Sequence, residues 1–321
     1  MEFIKDYTLF LEKEIAEIKF PSNPSNLYDP LTYFLTLGGK RMRPMATLIA
    51  GDLFGVAIEK TKYAALSIEL FHNFSLIHDD IMDNAPLRRG KETVHEKWNE
   101  NIAILSGDVL FVKAYELLAK NDCKYLLPLL ACFNRTAVEV CEGQQLDMDF
   151  EQREDVSLDE YLNMIRLKTS VLLGAAFEMG AIIGEASEEN IKNIYAFGVN
   201  LGIAFQIQDD LLDLYGESEK VGKQKGGDIL ADKKTILSIL AKSSANSSQK
   251  EELIQIQKET NAENKITRTL DLFQSLSVKE NCILVMEDYY TKAAKSIEAI
   301  ETESSKDKLL SLFEILRQRQ Y

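Results

Sequence analysis

Apolar positions recur at helical spacing through most of the chain. Ala64, Leu66, Ile68, Phe71, Phe74 and Leu76 form one run, and Leu158, Leu162, Ile165 and Leu172 another. A 3.6-residue period of this kind marks amphipathic helices buried on one face. Strand-like alternation between turn pairs is hard to find. Prolines stand at Pro21, Pro24, Pro30, Pro44, Pro86 and Pro128 and nowhere later, so long uninterrupted helices are permitted. Ser157 with Glu160 three residues on predicts a capping box, and Ser187 before Glu188 and Glu189 predicts a second helix start. The pattern predicts an all-α bundle of about ten or more helices, with loops at 21–30, 84–92, 215–227 and 243–249. Only the last is polar and bland enough to be a linker, and it is short, so a single domain over residues 1–321 is expected.

Composition narrows the function. With 321 residues, 45% of them hydrophobic, the chain can bury a sizeable core without staples. Its 37 basic and 51 acidic side chains leave a formal charge of -14, which repels phosphate backbones and anionic lipid and disfavours nucleic acid as a partner. Cys123, Cys132, Cys141 and Cys282 form no CxxC pair and suit reduced thiols packed in a core. The N-terminus lacks a signal pattern, and the most apolar stretch, 171–184, is interrupted by Glu178 and too short to span a bilayer. The expectation is a soluble, cytoplasmic protein.

Two segments share one form: Asp79-Asp80-Ile81-Met82-Asp83 and Asp209-Asp210-Leu211-Leu212-Asp213. On a helix, positions i and i+4 lie on one face and i+1 on its flank, so each segment can offer carboxylates to a common point. Three clustered Asp raise one another's pKa unless something neutralises them. Hard oxygen ligands suit Mg2+, which prefers carboxylates, waters and substrate phosphates to an all-protein cage. Metal-bridged phosphate is therefore the first hypothesis.

Cations sit where phosphate would require them. Lys40, Arg41 and Arg43 follow Gly38-Gly39, Arg88-Arg89 follows the first motif, and Lys223, Lys225 and Lys233 follow the second. Arg forks clamp phosphate oxygens bidentately while Lys acts as a point charge. Gly39-Lys40 lacks the upstream glycine of a Walker A loop, so nucleotide cradling of that type is not supported. Lys168-Thr169, in an apolar helix, needs an anionic partner or an aqueous cleft.

With these motifs the chain resembles the trans-isoprenyl diphosphate synthases, or polyprenyl synthetases. The matching segments run from Gly38-Gly39-Lys40-Arg41-Met42-Arg43-Pro44 through Glu69 to Arg89, then Gly143-Gln144, Lys168-Thr169 and 205–235. The resemblance implies the isoprenoid synthase fold, a helical bundle around a central cleft, and condensation of isopentenyl diphosphate with an allylic diphosphate. It implies Mg2+, three ions per active site, held through Asp79, Asp83 and Asp209 with Asp80 and Asp213 in support. It assigns Lys40, Arg43, His72 and Arg89 to isopentenyl diphosphate, and Arg88, Lys168, Thr169, Gln206, Lys223 and Lys233 to the allylic diphosphate. Asp79, Asp80, Asp83, Arg88, Lys168, Asp209, Asp210 and Lys223 would carry the catalysis. The segment Lys234-Thr235-Ile236-Leu237 lacks the proline that the family often has shortly after that threonine. A homodimer is implied as well; Gly174, Gly180 and Gly184 could serve a subunit seam or internal packing.

Product length follows from what stands upstream of Asp79. A growing prenyl chain extends away from the metals, and the family's C20 pattern has an aromatic at the fifth position upstream, here Phe74, next to the small Ser75. Geranylgeranyl diphosphate is the expected product, with farnesyl diphosphate next and longer chains as alternatives. Arg317, Arg319 and Tyr321 could close over isopentenyl diphosphate. A carboxylate-bridged di-iron protein is a rival reading, because Glu69-x-x-His72 and Glu92-x-x-His95 are two Glu-x-x-His pairs in a helical chain. It leaves the six Asp and the cation clusters without a role. A terpene cyclase would carry a different second motif, and a non-catalytic subunit would have lost one.

Overall fold

A computed structural model describes residues 2–216 and 226–318; Lys223, Lys225, Arg319 and Tyr321 lie outside the described residues. The described chain is helical: α1 Glu2–Ala16, α2 Ser25–Thr36, α3 Met42–Leu53, α4 Ile58–Met82, α5 Val94–Lys97, α6 Glu100–Leu118, α7 Cys123–Glu151, α8 Leu158–Ile165, α9 Val171–Ile183 and α10 Glu188–Tyr215. Then follow α11 Gly227–Leu230, α12 Ile236–Ser244, α13 Ser247–Gln257, α14 Ala262–Ser275, α15 Val278–Glu298 and α16 Asp307–Arg317. One π-helical turn, Arg166–Ser170, joins α8 to α9. The 84–92 loop holds β1 Leu87–Arg88 and β2 Lys91–Glu92, paired antiparallel with Leu87 opposite Glu92. Among the described residues no helix is long and apolar enough to cross a membrane.

Both predicted helix starts form. Ser157 and Glu160 make a reciprocal capping box, and the Ser187 hydroxyl accepts the Asn190 N–H at 3.2 Å. Two predicted loops are shorter than expected. The helix α2 begins at Ser25 and contains Pro30; the ring is buried beside Leu31 and Phe34, which offsets one missing backbone bond. The expected linker at 243–249 shrinks to Ala245 and Asn246, because Asn246 and Gln249 form a capping box that starts α13.

The chain packs as two compact units. The first comprises Met1–Thr136, Ala175–Tyr195 and Ile300–Leu309, the second Ala137–Gly174, Ala196–Ala299 and Leu310–Tyr321. In the first, Phe34 of α2, Leu48 of α3 and Ile68 and Phe71 of α4 are almost fully buried, and removing that apolar surface from water is the main stabilising term. A Cβ on Gly180 would stand 2.3 Å from the Thr47 carbonyl, and one on Gly184 2.5 Å from Phe54 Cβ. These two glycines thus serve internal packing. In the second unit, Phe197 of α10, Tyr290 of α15 and Phe313 of α16 share a core. All four cysteines are free thiols, but only Cys132 and Cys282 are buried. Cys123 and Cys141 stand on the outward side of α7, which corrects the expectation of core packing for all four.

Candidate active site

The first Asp motif closes α4, with Asp83 as its C-cap. Asp79 and Asp83 are one turn apart, while Asp80 is rotated by about 100° and points inward with 1% exposure. Arg88 Nε donates to both Asp80 oxygens at 2.8 Å, and its Nη2 lies 2.6 Å from Asp80 Oδ1 and 3.7 Å from Asp79 Oδ2. Burial pushes the Asp80 carboxyl above its ordinary value against the pull of Arg88. The sequence places Asp80 among metal ligands and Arg88 on a substrate; the structure instead joins them to each other. The β1–β2 turn brings Arg88 back over the helix end, so Asp80 orients a cation rather than presenting an open carboxylate.

The glycine loop before α3 builds a cationic corner in the same unit. Gly39 adopts φ +154, and a Cβ there would stand 3.1 Å from both Nη atoms of Arg89. Only glycine lets that guanidinium lie against the backbone. Arg43 Nη1 donates to His72 Nε2 at 3.0 Å. Burial, then Arg43, Arg89, Arg88 and Arg41, hold the His72 pKa well below its ordinary value, so the imidazole is the neutral acceptor that this bond requires. The structure thereby gathers Arg43, His72 and Arg89, with Lys40 on the same loop. Arg41 behaves differently from the sequence expectation. It is 3% exposed and bonds Glu12 at 2.8 Å, Glu69 at 2.5 Å and the Leu35 carbonyl at 3.2 Å. Two carboxylates from α1 and α4 draw it inward, where it pins α3 to both helices.

That pairing also answers the di-iron reading. Glu69 is committed to Arg41 and to Asn73, and Glu92 is exposed on β2. Among the described residues no three His, Cys, Asp or Glu side chains are gathered as a ready metal cage.

The second motif repeats the geometry on α10. Asp210 is 6% exposed and accepts the Tyr161 hydroxyl at 2.5 Å, the Ile236 N–H at 3.3 Å and Gln206 Nε2 at 3.4 Å. Burial raises its carboxyl to about 7. The sequence counts Asp210 as catalytic and Gln206 as an allylic diphosphate contact; the structure encloses Asp210 as a tie between α8, α10 and the start of α12. Asp213 accepts the Asp228 N–H at 3.0 Å, fixing α11, and Asp209 is half-buried.

Lys168 and Thr169 lie on the π-helical turn, where one extra residue per turn re-aims side chains. A Cβ on Gly143 of α7 would stand 2.1 Å from Lys168 N, so the turn packs directly on helix backbone. Lys168 Nζ donates to Asp147 at 2.6 Å, and Thr169 Oγ1 to Gln206 Oε1 at 3.4 Å. Asp147 was not among the sequence candidates; its signal is its place one turn after Gly143 on the same helix. Lys233 stands in the turn after α11, its N–H bonded to the Asp228 carbonyl. Lys223 lies outside the described residues. Arg317 donates to Glu287 at 2.8 Å, a partner that the sequence expectation of a closing C-terminus did not include.

Phe74 is half-buried on α4 and stacks on Phe111 of α6, with Phe71 and His78 also in ring contact. The Ser75 hydroxyl turns back to the His72 carbonyl at 2.9 Å. Phe111, Tyr115 and Phe133 extend the aromatic cluster; the sequence signal for it is the i,i+4 pair Phe111 and Tyr115. Taken separately, each motif offers hard oxygen donors at one-turn spacing that suit a divalent ion, Asp79 with Asp83 on α4 and Asp209 with Asp213 on α10. A site completed by waters and phosphate is what Mg2+ prefers.

The family model for polyprenyl synthetase matches residues 24–273. The chain belongs to the polyprenyl synthetase family. It is similar to the short chain isoprenyl diphosphate synthase of Methanothermobacter thermautotrophicus, 35% identical over 322 residues that cover 100% of this chain and 99% of that protein. Among solved structures, the geranylgeranyl pyrophosphate synthetase of Pyrococcus horikoshii superposes with a TM-score of 0.92 at 35% identity, covering 99% and 98% of the two chains. A polyprenyl synthase from Caulobacter crescentus, solved with calcium and isoprenyl diphosphate, superposes at 0.84 with 27% identity and coverage of 100% and 96%. The polyprenyl synthetase fold is therefore the isoprenoid synthase fold, all-α as expected, and the enzyme is an isoprenyl diphosphate synthase.

Proposed function

We propose that residues 1–321 work as one synthase domain that condenses isopentenyl diphosphate with an allylic diphosphate, the main product being geranylgeranyl diphosphate. The observation that carries the reading is the repeated division of labour in the two Asp motifs. In each, the middle carboxylate is enclosed by a partner, Arg88 or Tyr161, and the outer two share the other side of the helix.

Asp79 and Asp83 in the first motif, and Asp209 with Asp213 in support in the second, would hold Mg2+, which would supply positive charge to the diphosphate leaving group. Arg88, oriented by Asp80, and Lys168, Thr169, Gln206, Lys223 and Lys233 bind the allylic diphosphate. Lys168 exchanges its bond to Asp147 for phosphate oxygens. Lys40, Arg43, His72 and Arg89 bind the isopentenyl diphosphate, with Arg43 positioned by the neutral imidazole of His72. The allylic C–O bond breaks, its carbon bonds to the terminal alkene carbon of the isopentenyl group, and the resulting cation loses a proton to the released diphosphate. Phe74, stacked on Phe111, supports a floor set for C20, with C15 as the next product.

The enzyme acts as a homodimer, a reading supported by Leu105 and Val112, both 58% exposed and two turns apart on α6, and by Leu127, 78% exposed.

The deciding experiment is incubation with isopentenyl diphosphate and each allylic primer, with and without Mg2+, followed by mass spectrometry of the products. Mg2+-dependent C20 formation is expected. Absence of any elongated product with every primer would overturn the reading, and stoichiometric iron in the purified protein would revive the di-iron one.

A further inference from the structure

A cavity of about 560 Å3 opens in the second unit, lined by residues of α12, α13, α14 and the turn at 231–235. It lies in the range of small-molecule sites. Its walls include Leu253, Ile256 and Phe273, while its charged groups are five lysines, Lys233, Lys234, Lys242, Lys250 and Lys265, against two carboxylates, Glu154 and Asp232. Lys265 is committed to Asp232 at 2.9 Å and to the Gln257 carbonyl at 3.4 Å, and this pair ties α14 to the turn. Glu154 is shared by Lys234 at 3.7 Å and Lys242 at 3.2 Å. Lys250 has no acidic partner among the described residues. Two ammonium groups therefore share one carboxylate and a third has none, beside an aliphatic and aromatic wall, in a chain whose net charge is -14. An excess of cations against an apolar cavity is complementary to an anionic head on an apolar tail.

We infer that this cavity is a second, non-catalytic site for a prenyl diphosphate, with the tail against Leu253 and Phe273 and the head on Lys234, Lys242 and Lys250. The inference rests on the proposed function for its ligand class. Lys233 lines the same cavity, so occupancy bears on a residue assigned above to the allylic diphosphate and makes the product a feedback inhibitor.

The test is photo-crosslinking of the full-length enzyme with a benzophenone-tailed prenyl diphosphate, with peptide mapping by mass spectrometry and turnover measured in parallel. Crosslinks are expected within 236–275, reduced at least tenfold in Lys242→Glu/Lys250→Glu, with crosslinks to the Asp-motif peptides unchanged. Leu253→Trp, which fills the cavity without altering its charge, should act in the same direction. Inhibition by geranylgeranyl diphosphate should change from mixed in the wild type to competitive in both variants. Crosslinks confined to the Asp-motif peptides, or equal displacement by palmitate, would overturn the inference while turnover kept the proposed function intact. Loss of all condensation activity in the wild type would instead remove the proposed function.

Discussion

Phe74 of α4 lies face to face with Phe111 of α6, ring centroids 4.8 Å apart and planes 9° from parallel. Phe74 stands five residues before Asp79, and the proposed function makes this stack the floor that limits product length. Truncating either ring should open it. Phe74→Ala and Phe111→Ala are each expected to make products longer than C20 the major species by mass spectrometry. An unchanged distribution in both variants would remove the stack from the floor.

The two motifs predict opposite phenotypes for neighbouring aspartates. Asp79→Ala and Asp209→Ala should lower kcat by about 10²–10³-fold with little change in Tm. Asp80→Ala and Asp210→Ala remove enclosed hydrogen-bonded carboxylates and should cost about 1.5–3 kcal/mol of stability. Asp210→Asn keeps a carbonyl acceptor for the Tyr161 hydroxyl and should unfold close to wild type. Denaturant melts beside steady-state rates separate the classes; equal Tm loss for Asp79→Ala and Asp80→Ala would contradict the division.

His72 links stability to pH. Its folded pKa is held below the ordinary value by burial and by Arg43, so the unfolded chain takes up a proton near pH 6.5 that the folded state refuses. Its contribution is present above about pH 6.5 and is lost as pH falls toward the folded pKa. The decline in Tm between pH 7.5 and 5 should be shallower in His72→Gln than in wild type, with added metal and substrate absent from both. Parallel slopes would show that His72 is charged in the folded state.

Gly143→Ala tests the close approach of α7 to the π-helical turn. The added Cβ would meet Lys168 N at 2.1 Å, so one backbone must move, at a cost of about 1–3 kcal/mol. Because Lys168 moves with it, KM for the allylic substrate should rise several-fold. A wild-type KM would argue that this turn does not place Lys168.

With the proposed homodimer sealed through α6, wild type should sediment as a dimer and Leu105→Lys/Val112→Lys as a monomer in sedimentation velocity. Charged side chains at the centre of an apolar seam oppose its desolvation. A dimer that persists would place the seam elsewhere.

The helical class, the capping box at Ser157 and the chemistry of the two Asp motifs were legible in the sequence, because period, cap pairs and i,i+4 carboxylates are local signals. The short loops were not. Pro30 inside α2 is stabilised by burial among Leu31 and Phe34, and no local propensity reports that. The pairs of Arg41 with Glu69, Lys168 with Asp147 and Tyr161 with Asp210 join residues 28, 21 and 49 positions apart, a span over which spacing carries no information.

The sequence by itself determined that this protein is helical, that it carries two carboxylate triads, and that glycine loops and cations accompany them. Only the tertiary structure decided which members of each set face outward. Asp79 and Asp80 are chemically identical neighbours, as are Asp209 and Asp210. Each helix turns the second member through about 100° into its unit, where burial makes an unsatisfied carboxylate costly. Arg88 and Tyr161 meet that requirement, so the middle aspartates are tied into the fold.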